Sequence, residues 1–284
     1  MTVTELCRWG RWALSQIPDA SKDADLLLRS VLGWDEVRLL VSGDEAVPSE
    51  DEHRYRELIN RRSQGEPAAY LCRTRGFWNL ELEVDPAVLV PRPETELLVE
   101  QVLHLIQGLG SPRILELGTG SGAIALALAN ERPDSSVVAT DVSPEALAVA
   151  RRNQESSGLT NVQWDRGNWF DCLTGERFNL ICSNPPYIPA GDPHLDGDGV
   201  RWEPRLALVS GTTGLEELET IVDGAPMHTD AGGWLVLEHG YDQGMAVRTR
   251  MARRGYSEVR TVRDLSGNDR VSLGRLSLQS NEDA

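Results

Sequence analysis

Between residues 113 and 141 the chain runs from Arg113-Ile114-Leu115-Glu116-Leu117 through Gly118-Thr119-Gly120-Ser121-Gly122 and Ala123 to Ala129, then on to Val137-Val138-Ala139-Thr140-Asp141. A short apolar run bounded by turn residues reads as a buried strand. Three glycines in five residues break that strand, and an alanine- and leucine-rich helix follows at once. Strand, tight turn, helix and second buried strand make the βαβ unit of a parallel sheet covered by helices. The glycines let a ligand approach the backbone, and the helix N-terminus offers free N–H groups to anionic atoms. Asp141 stands about 20 residues beyond the turn, where a carboxylate takes both hydroxyls of a ribose. The unit signals a nucleoside cofactor without choosing it, since Gly118, Gly120 and Ala123 also satisfy the loose dinucleotide pattern.

Three later features choose. Pro144-Glu145-Ala146-Leu147 opens a helix directly after Asp141. A third strand, Val162-Gln163-Trp164, is followed by Gly167-Asn168-Trp169-Phe170, where Asn168 and Trp169 offer an amide and an aromatic plane to an adenine. A fourth strand, Phe178 to Cys182, leads into Ser183-Asn184-Pro185-Pro186-Tyr187-Ile188-Pro189. Neither proline donates to a ladder, so the strand stops there and Asn184 projects from its carboxyl end, the edge where open α/β sheets bind ligands. Asn-Pro and Pro-Pro are also ordinary turn dipeptides. An amide or exocyclic amine nitrogen is a poor nucleophile because its lone pair is delocalised. Two acceptors, the Asn184 side-chain oxygen and the Pro185 carbonyl, would take its two N–H groups and turn the lone pair outward, with Tyr187 packed over the planar group. A hydride-transfer enzyme needs no such loop, whereas an S-adenosylmethionine enzyme acting on a planar nitrogen does.

Composition narrows the setting. The chain has 284 residues and a formal net charge of −16, and its first 75 residues carry 13 acidic against 11 basic groups. Most of the negative charge therefore sits in the remainder, which disfavours phosphate backbones, whose binding rests on clustered Lys and Arg. No apolar run reaches the ~18 residues of a membrane span, and no basic start precedes an apolar core, so a cytoplasmic address is expected. Cys7, Cys72, Cys172 and Cys182 are scattered and read as reduced thiols, and the five dispersed histidines suggest no metal.

Residues 1–75 read as a small all-helical bundle. Leu6, Trp9 and Ala13 share one face, Ser21 or Asp23 is placed to cap a helix carrying Leu26 to Leu32, and Asp35 to Leu40 suggests a third. Ser49-Glu50-Asp51-Glu52 opens a fourth, which Gly65 ends. With no catalytic constellation, the bundle's expected task is recognition. Residues 76–93 read as a β-hairpin linker in which Phe77 to Val84 pairs with Val88-Leu89-Val90 across Asp85-Pro86. The domain from 94 to 284 begins with a helix from Glu94 or Thr95 through Leu105. It closes with strand Gly233 to Glu238, a helix to Arg254, strand Val259 to Val262 and an antiparallel partner at Arg270 to Leu273. The tail, Gln279 to Ala284, is expected to fray.

With these residues in hand, the chain resembles the release factor glutamine methyltransferases nearly end to end. The likeness rests on Gly65-Glu66-Pro67 through Tyr70, Phe77-Trp78, Pro91-Arg92-Pro93-Glu94-Thr95-Glu96, Glu116 to Gly122, Asp141 and Trp169-Phe170. It continues through Asn184 to Tyr187, Asp192-Pro193-His194-Leu195, Val200-Arg201-Trp202-Glu203-Pro204 and Glu238-His239-Gly240. The Asn-Pro-Pro-Tyr loop alone is shared with adenine and guanine amino-methyltransferases; its combination with the Pro-Arg-Pro-Glu-Thr-Glu and Glu203-Pro204 segments is narrower.

The resemblance implies a Rossmann-like class I methyltransferase domain, α/β with a mostly parallel seven-stranded sheet and an antiparallel last strand. It implies methyl transfer from S-adenosylmethionine, leaving S-adenosylhomocysteine, to the glutamine of the Gly-Gly-Gln motif in class I peptide chain release factors. The bundle would dock the factor. A monomer is the default expectation, and the scattered Cys and His and the acidic charge lead us to expect neither metal nor nucleic acid. By matching positions, Glu116 and Gly118, Thr119, Gly120, Ser121 and Gly122 line the methionine end of the cofactor. Asp141 holds the ribose, Asn168 and Trp169 border the adenine, and Asn184 with Pro185, Pro186 and Tyr187 forms the substrate loop. Arg92, Glu94 and Glu203 would order that loop. Glu116 and Asn168 both stand where Asp is usual, and Arg73 stands where Gly is common. Two rivals remain: an amino-methyltransferase of nucleic-acid bases, which predicts a basic groove, and a catalytically silent release-factor binder, which predicts loss of the glycines, Asp141 or Asn184.

Overall fold

In a computed structural model, Thr2 caps the first helix with its hydroxyl, which accepts the Glu5 N–H at 3.3 Å, while the Glu5 carboxylate returns to the Thr2 N–H at 2.9 Å. This capping box satisfies two donors that no helical carbonyl can reach. The structure describes residues 1–17 and 20–277. It divides into one unit of Met1–Thr74 with Asp196–Trp202, and a second of Arg75–Leu195 with the chain from Glu203 onward. The expected fraying of Gln279 to Ala284 falls outside the described residues.

The first unit packs α1 (Val3–Ala13), α2 (Ala20–Leu32), α3 (Glu36–Val41), α4 (Ser49–Ser63) and α5 (Ala68–Cys72). Its core holds Leu6, Leu14, Leu27, Leu28, Tyr55 and Ile59. Ser21 and Asp23, expected as caps, lie inside α2, and Asp23 instead serves an ion pair. Arg62, buried near the end of α4, donates to Asp23 at 2.7 Å and forks onto both carboxylate oxygens of Asp198. A bidentate, charge-assisted pair of this kind fixes geometry as well as sign. It explains why Asp196–Trp202, distant in sequence, folds with the bundle, a feature that the sequence reading did not anticipate. Arg73, just past α5, sits at φ 61, ψ 12, the left-handed region where a Cβ is strained and glycine is not.

The hairpin differs from expectation. Its strands are β1 (Thr74–Phe77) and β2 (Leu80–Glu83), turned at Trp78-Asn79, and Val88-Leu89-Val90 joins no strand. Trp78 takes φ 55 and is held there by its N–H to Glu96 at 2.8 Å and its indole N–H to Glu131 at 2.8 Å. The pairing across Asp85-Pro86 fails because the Val90 N–H is taken by the Glu203 carboxylate, far along the chain.

After a 3-10 turn at Pro93–Thr95, the second unit runs α6 (Glu96–Leu105), β3 (Arg113–Leu117), α7 (Ala123–Glu131), β4 (Ser136–Asp141), α8 (Pro144–Ser157), β5 (Val162–Arg166) and β6 (Phe178–Ser183). It ends with α9 (Glu216–His228), β7 (Thr229–Glu238), α10 (Gly244–Arg253), β8 (Tyr256–Arg263) and β9 (Asp269–Leu276). The sheet order is β5-β4-β3-β6-β7-β9-β8, parallel from β5 to β7, with β9 antiparallel to both neighbours. Successive strand residues serve opposite faces. Ile114, Val137, Leu180 and Val236 meet α6 and α7, while Leu115, Val138, Ile181 and Leu235 meet α9 and α10. All four cysteines are unpaired. Among the described residues no helix is long and apolar enough to cross a membrane.

Arg73→Gly is expected to raise unfolding free energy by about 0.5–1 kcal/mol, the left-handed strain of ~1–2 kcal/mol partly offset by glycine's greater unfolded freedom. A urea titration reads this as a higher midpoint at unchanged slope. A lower midpoint would show that the Arg73 side chain contributes more than its backbone costs.

Candidate active site

Strand order reverses between β3 and β6, and helices leave that switch point towards opposite faces. A crevice therefore opens at the carboxyl ends of these two strands. The register sets Leu117 beside Ser183, and the Ser183 hydroxyl donates to the Leu117 carbonyl at 2.7 Å. The next residues, Gly118 and Asn184, consequently enter one cleft from adjacent strands.

The floor is the Gly-rich turn. Gly118, Gly120 and Gly122 take φ 71, 55 and 84, which side-chain-bearing residues adopt only at a cost. Glu116, the residue before Leu117, is fully buried. One of its oxygens, Oε2, accepts the Thr119 hydroxyl at 2.6 Å and the Ala125 N–H at 3.0 Å, which ties strand, turn and helix together. Its other oxygen, Oε1, is buried without a partner. Burial pushes this carboxyl up to about 8, more than its two donors pull it down. Asp141 ends β4 with one oxygen accepting the Gly120 N–H at 2.9 Å and the other the Ser143 N–H at 2.9 Å. Backbone donors from Gly120, Val142 and Ser143 thus fix the plane of a carboxylate at the cleft, the arrangement a vicinal diol would use.

The side wall is aromatic. Trp169 takes φ 52, and its ring lies over Gly118, where an added Cβ would come within 3.4 Å of it. Its indole N–H donates to Glu217 at 2.7 Å, so the plane is pinned from α9. Asn168 lines the cleft beside it. α9 has no counterpart among the elements expected from sequence, although Leu218, Ile221, Val222 and Ala225 recur at helical spacing.

The opposite wall is the linker that was expected to be a strand. Ala87 to Leu89, Pro91 and Arg92 line the cleft there. Glu203, buried, accepts from Arg92 at 2.6 Å and from the Val90 N–H, so one carboxylate holds this wall to Pro204 and the loop after it. Burial raises Glu203 and Arg92 holds it down. Glu94, the third residue expected to order the loop, lies exposed on the 3-10 turn.

Asn184 and Pro186 line the cleft; Pro185 and Tyr187 do not. The Tyr187 ring packs with the core on the α9 and α10 face, so the expected stacking over a planar group is not seen. Its carbonyl accepts from Gln243 at 3.0 Å, and its hydroxyl lies 3.5 Å from buried Glu238. The Asn184 carboxamide donates to the Thr95 hydroxyl at 3.1 Å, which points its oxygen away from Thr95. Thr95, Glu217, Glu238 and Gln243 were not singled out from sequence as site residues. Each acts through a partner about 50 or more positions away along the chain.

Among the described residues no cluster of His, Cys, Asp and Glu could hold a metal ion. Sheet order and cleft are those of the Rossmann-type methyltransferases that use S-adenosylmethionine, and comparison with known proteins agrees. Residues 5–72 match the family model of the PrmC N-terminal domain, and residues 93–195 that of the methyltransferase small domain. A release factor glutamine methyltransferase from Xylella fastidiosa is 49% identical over 89% of this chain and 92% of its own. The one from Escherichia coli is 43% identical over 95% and 99%. The chain belongs to the release factor glutamine methyltransferase family. A solved methyltransferase from Pyrococcus furiosus shares the fold, with a TM-score of 0.53 at 22% identity over 77% of this chain and 99% of that one.

The cleft carries a stability cost that pH should expose. A carboxyl near 8 when folded and near 4.5 when unfolded loses stability as pH rises through that window. Glu116→Gln should therefore gain on the unliganded parent by up to about 1.4 kcal/mol per pH unit between these values, and not below them. Denaturant midpoints of both proteins at pH 4, 6 and 8 check this; a constant difference would place the Glu116 proton elsewhere.

Proposed function

We propose that the chain transfers a methyl group to the side-chain amide nitrogen of the glutamine in the Gly-Gly-Gln motif of class I release factors. The observation that carries this reading is the Asn184 carboxamide, held by Thr95 at the end of β6 beside the Gly-rich turn at the end of β3. Bound S-adenosylmethionine supplies a methyl carbon made electrophilic by its sulfonium. The residues fit that group: the orphaned Glu116 oxygen suits its ammonium, the fixed Asp141 plane its ribose hydroxyls, and Trp169 with Asn168 its adenine. Gly118 to Gly122 admit its methionine end to the backbone.

Asn184 Oδ1 and the Pro185 carbonyl accept the two N–H groups of the substrate amide and leave its lone pair facing the methyl carbon. That arrangement favours the pyramidal nitrogen of the transition state over the planar ground state, so it accelerates the step rather than only binding the substrate. Positioning and exclusion of water supply the rest. The methylated nitrogen is strongly acidic and loses its proton after transfer, which removes the need for a dedicated general base. Arg92 and Glu203 keep the linker wall closed against the loop that carries Pro204.

The first unit suits docking of the factor. It exposes Trp12, Val37, Leu40 and Val41, at 72%, 68%, 73% and 77% of their surface, apolar area of the kind that partners cover. The remaining charge is acidic, which favours a protein over a phosphate backbone as substrate.

Transfer from labelled S-adenosylmethionine to a release factor, beside its Gly-Gly-Gln glutamine→Ala variant, tests the reading. Label on the glutamine of the parent factor alone is expected. Label on neither factor, with cofactor bound, would overturn it and turn attention to nucleic-acid amines. Asn184→Ala should lose at least about 100-fold in turnover, as for other preorganised polar contacts to reacting atoms, with cofactor affinity within a few-fold. Equal losses in calorimetric affinity and turnover would contradict that division. Cofactor binding near pH 7 should also release close to one proton from Glu116, seen as buffer-dependent binding enthalpy; Glu116→Gln should abolish the dependence.

A further inference from the structure

Behind Asn184 lies a polar chain that the transfer reaction does not touch. Thr95, buried at the end of the 3-10 turn, accepts the Asn184 N–H with its hydroxyl oxygen at 3.1 Å. The Thr95 proton must then point elsewhere, and the acceptor it faces is the carboxyl of Glu238 at the end of β7. Glu238 is 1% exposed; its Oε1 lies 3.5 Å from the Tyr187 hydroxyl, and its Oε2 is buried without a partner. The other groups around this carboxyl are Arg270 on β9, Glu94 on the 3-10 turn and the Tyr187 hydroxyl. His239, next in sequence, is engaged separately by Ser272 and the Gly240 carbonyl, both at 2.8 Å.

A carboxamide has a donor end and an acceptor end of nearly the same shape, so packing alone does not choose between its two orientations. A hydroxyl that keeps its proton available can serve either end. We propose that Glu238 and Thr95 are positioning residues that set the orientation of the Asn184 carboxamide. With its proton committed to Glu238, the Thr95 oxygen offers only lone pairs. Asn184 must then present its NH2 to Thr95 and its oxygen to the cleft. The inverted carboxamide would set oxygen against oxygen behind it and offer a donor to a substrate nitrogen that has only donors to give. This assignment rests on the reading that Asn184 Oδ1 receives the glutamine amide.

The arrangement depends on Glu238 being ionised. Burial raises this carboxyl to about 7, the Thr95 hydroxyl, Arg270 and Tyr187 lower it, and Glu94 raises it. Above that value it only accepts. Once protonated it can donate to Thr95, which frees the Thr95 proton for the inverted carboxamide.

The test is turnover at saturating cofactor and release factor for wild type, Thr95→Val, Thr95→Ser, Glu238→Gln and Asn184→Ala, with cofactor affinity measured by calorimetry. Thr95→Val should lower kcat by about 10- to 100-fold, the range of one lost orienting hydrogen bond, while cofactor affinity stays within about two-fold. Thr95→Ser, which keeps the hydroxyl, should recover to within about three-fold of wild type. Wild-type kcat should rise with pH through about 7. Glu238→Gln, which cannot ionise and can donate to Thr95, should be slower and show no such rise. A Thr95→Val enzyme as fast as wild type beside an inactive Asn184→Ala would overturn the proposal and leave the amide reading intact. So would an unchanged acid limb in Glu238→Gln. An active Asn184→Ala would overturn both.

Discussion

The parallel pairing of β3 with β6 is the constraint on which the rest of this molecule depends. It brings Gly118 and Asn184 to the same edge although 66 residues separate the partners on either side of them, Leu117 and Ser183. A slip of one residue in either strand would turn every core side chain to the wrong face, so the register is enforced by burial on both sides of the sheet. Ile114, Leu180 and Val236 on one face and Leu115, Ile181 and Leu235 on the other leave no apolar alternative. The site thus inherits its precision from the core. No loop residue has to measure the distance between the Gly-rich turn and the Asn-Pro-Pro-Tyr loop.

What the core does not fix, buried carboxyls do. Glu116 ties β3 to its turn and to α7, Glu203 ties the linker wall to the loop after β6, and Glu238 stands behind that loop. Each of the three is raised by loss of hydration. An apolar residue would cost less at any of these positions. A carboxylate, however, accepts from two directions and so couples two segments that share no ladder. In Glu116 and Glu238 one oxygen is left without a partner, and both of these residues belong to the cleft or its support. A fold that leaves such atoms unpaired has traded stability for groups ready to engage as soon as a donor arrives.

Local motifs were legible in the sequence because their chemistry is carried by consecutive residues. The strand-turn-helix around Gly118 to Gly122, the acid at Asp141, the antiparallel end of the sheet and the loop at Asn184 all appear where spacing and residue type put them. The misses are contacts between distant positions. Val88-Leu89-Val90 alternates with apolar residues enough to suggest a strand, but its ladder donor belongs to Glu203, and so the segment becomes a cleft wall. Trp78 does not read as a turn residue, yet two carboxylates from α6 and α7 hold it at positive φ. Arg62 draws Asp198 into the first unit through a fork that no periodicity announces. Tyr187 looked like a lid for the substrate and is instead an anchor, because an aromatic ring at the end of a buried strand gains more from the core than from an open cleft.

A planar nitrogen makes this economy of means workable. A hydroxyl nucleophile would need a base near its own proton, and a carbon nucleophile would need stabilisation of developing charge. An amide nitrogen needs its two hydrogens held so that the lone pair is the only group left to react. Two acceptors suffice for that, provided neither can turn into a donor. The Pro185 carbonyl meets the condition by covalent structure. The Asn184 carboxamide does not, since a half-turn exchanges its ends. Its partner Thr95 and the carboxyl behind Thr95 restrict that half-turn, which is why a polar chain reaching down to β7 sits beneath a reaction that needs no dedicated general base. Placing an ionisable group there, rather than a second amide, makes the restriction one-sided: a charged carboxylate has no donor to offer, whereas a glutamine in its place would carry the same ambiguity one residue further in.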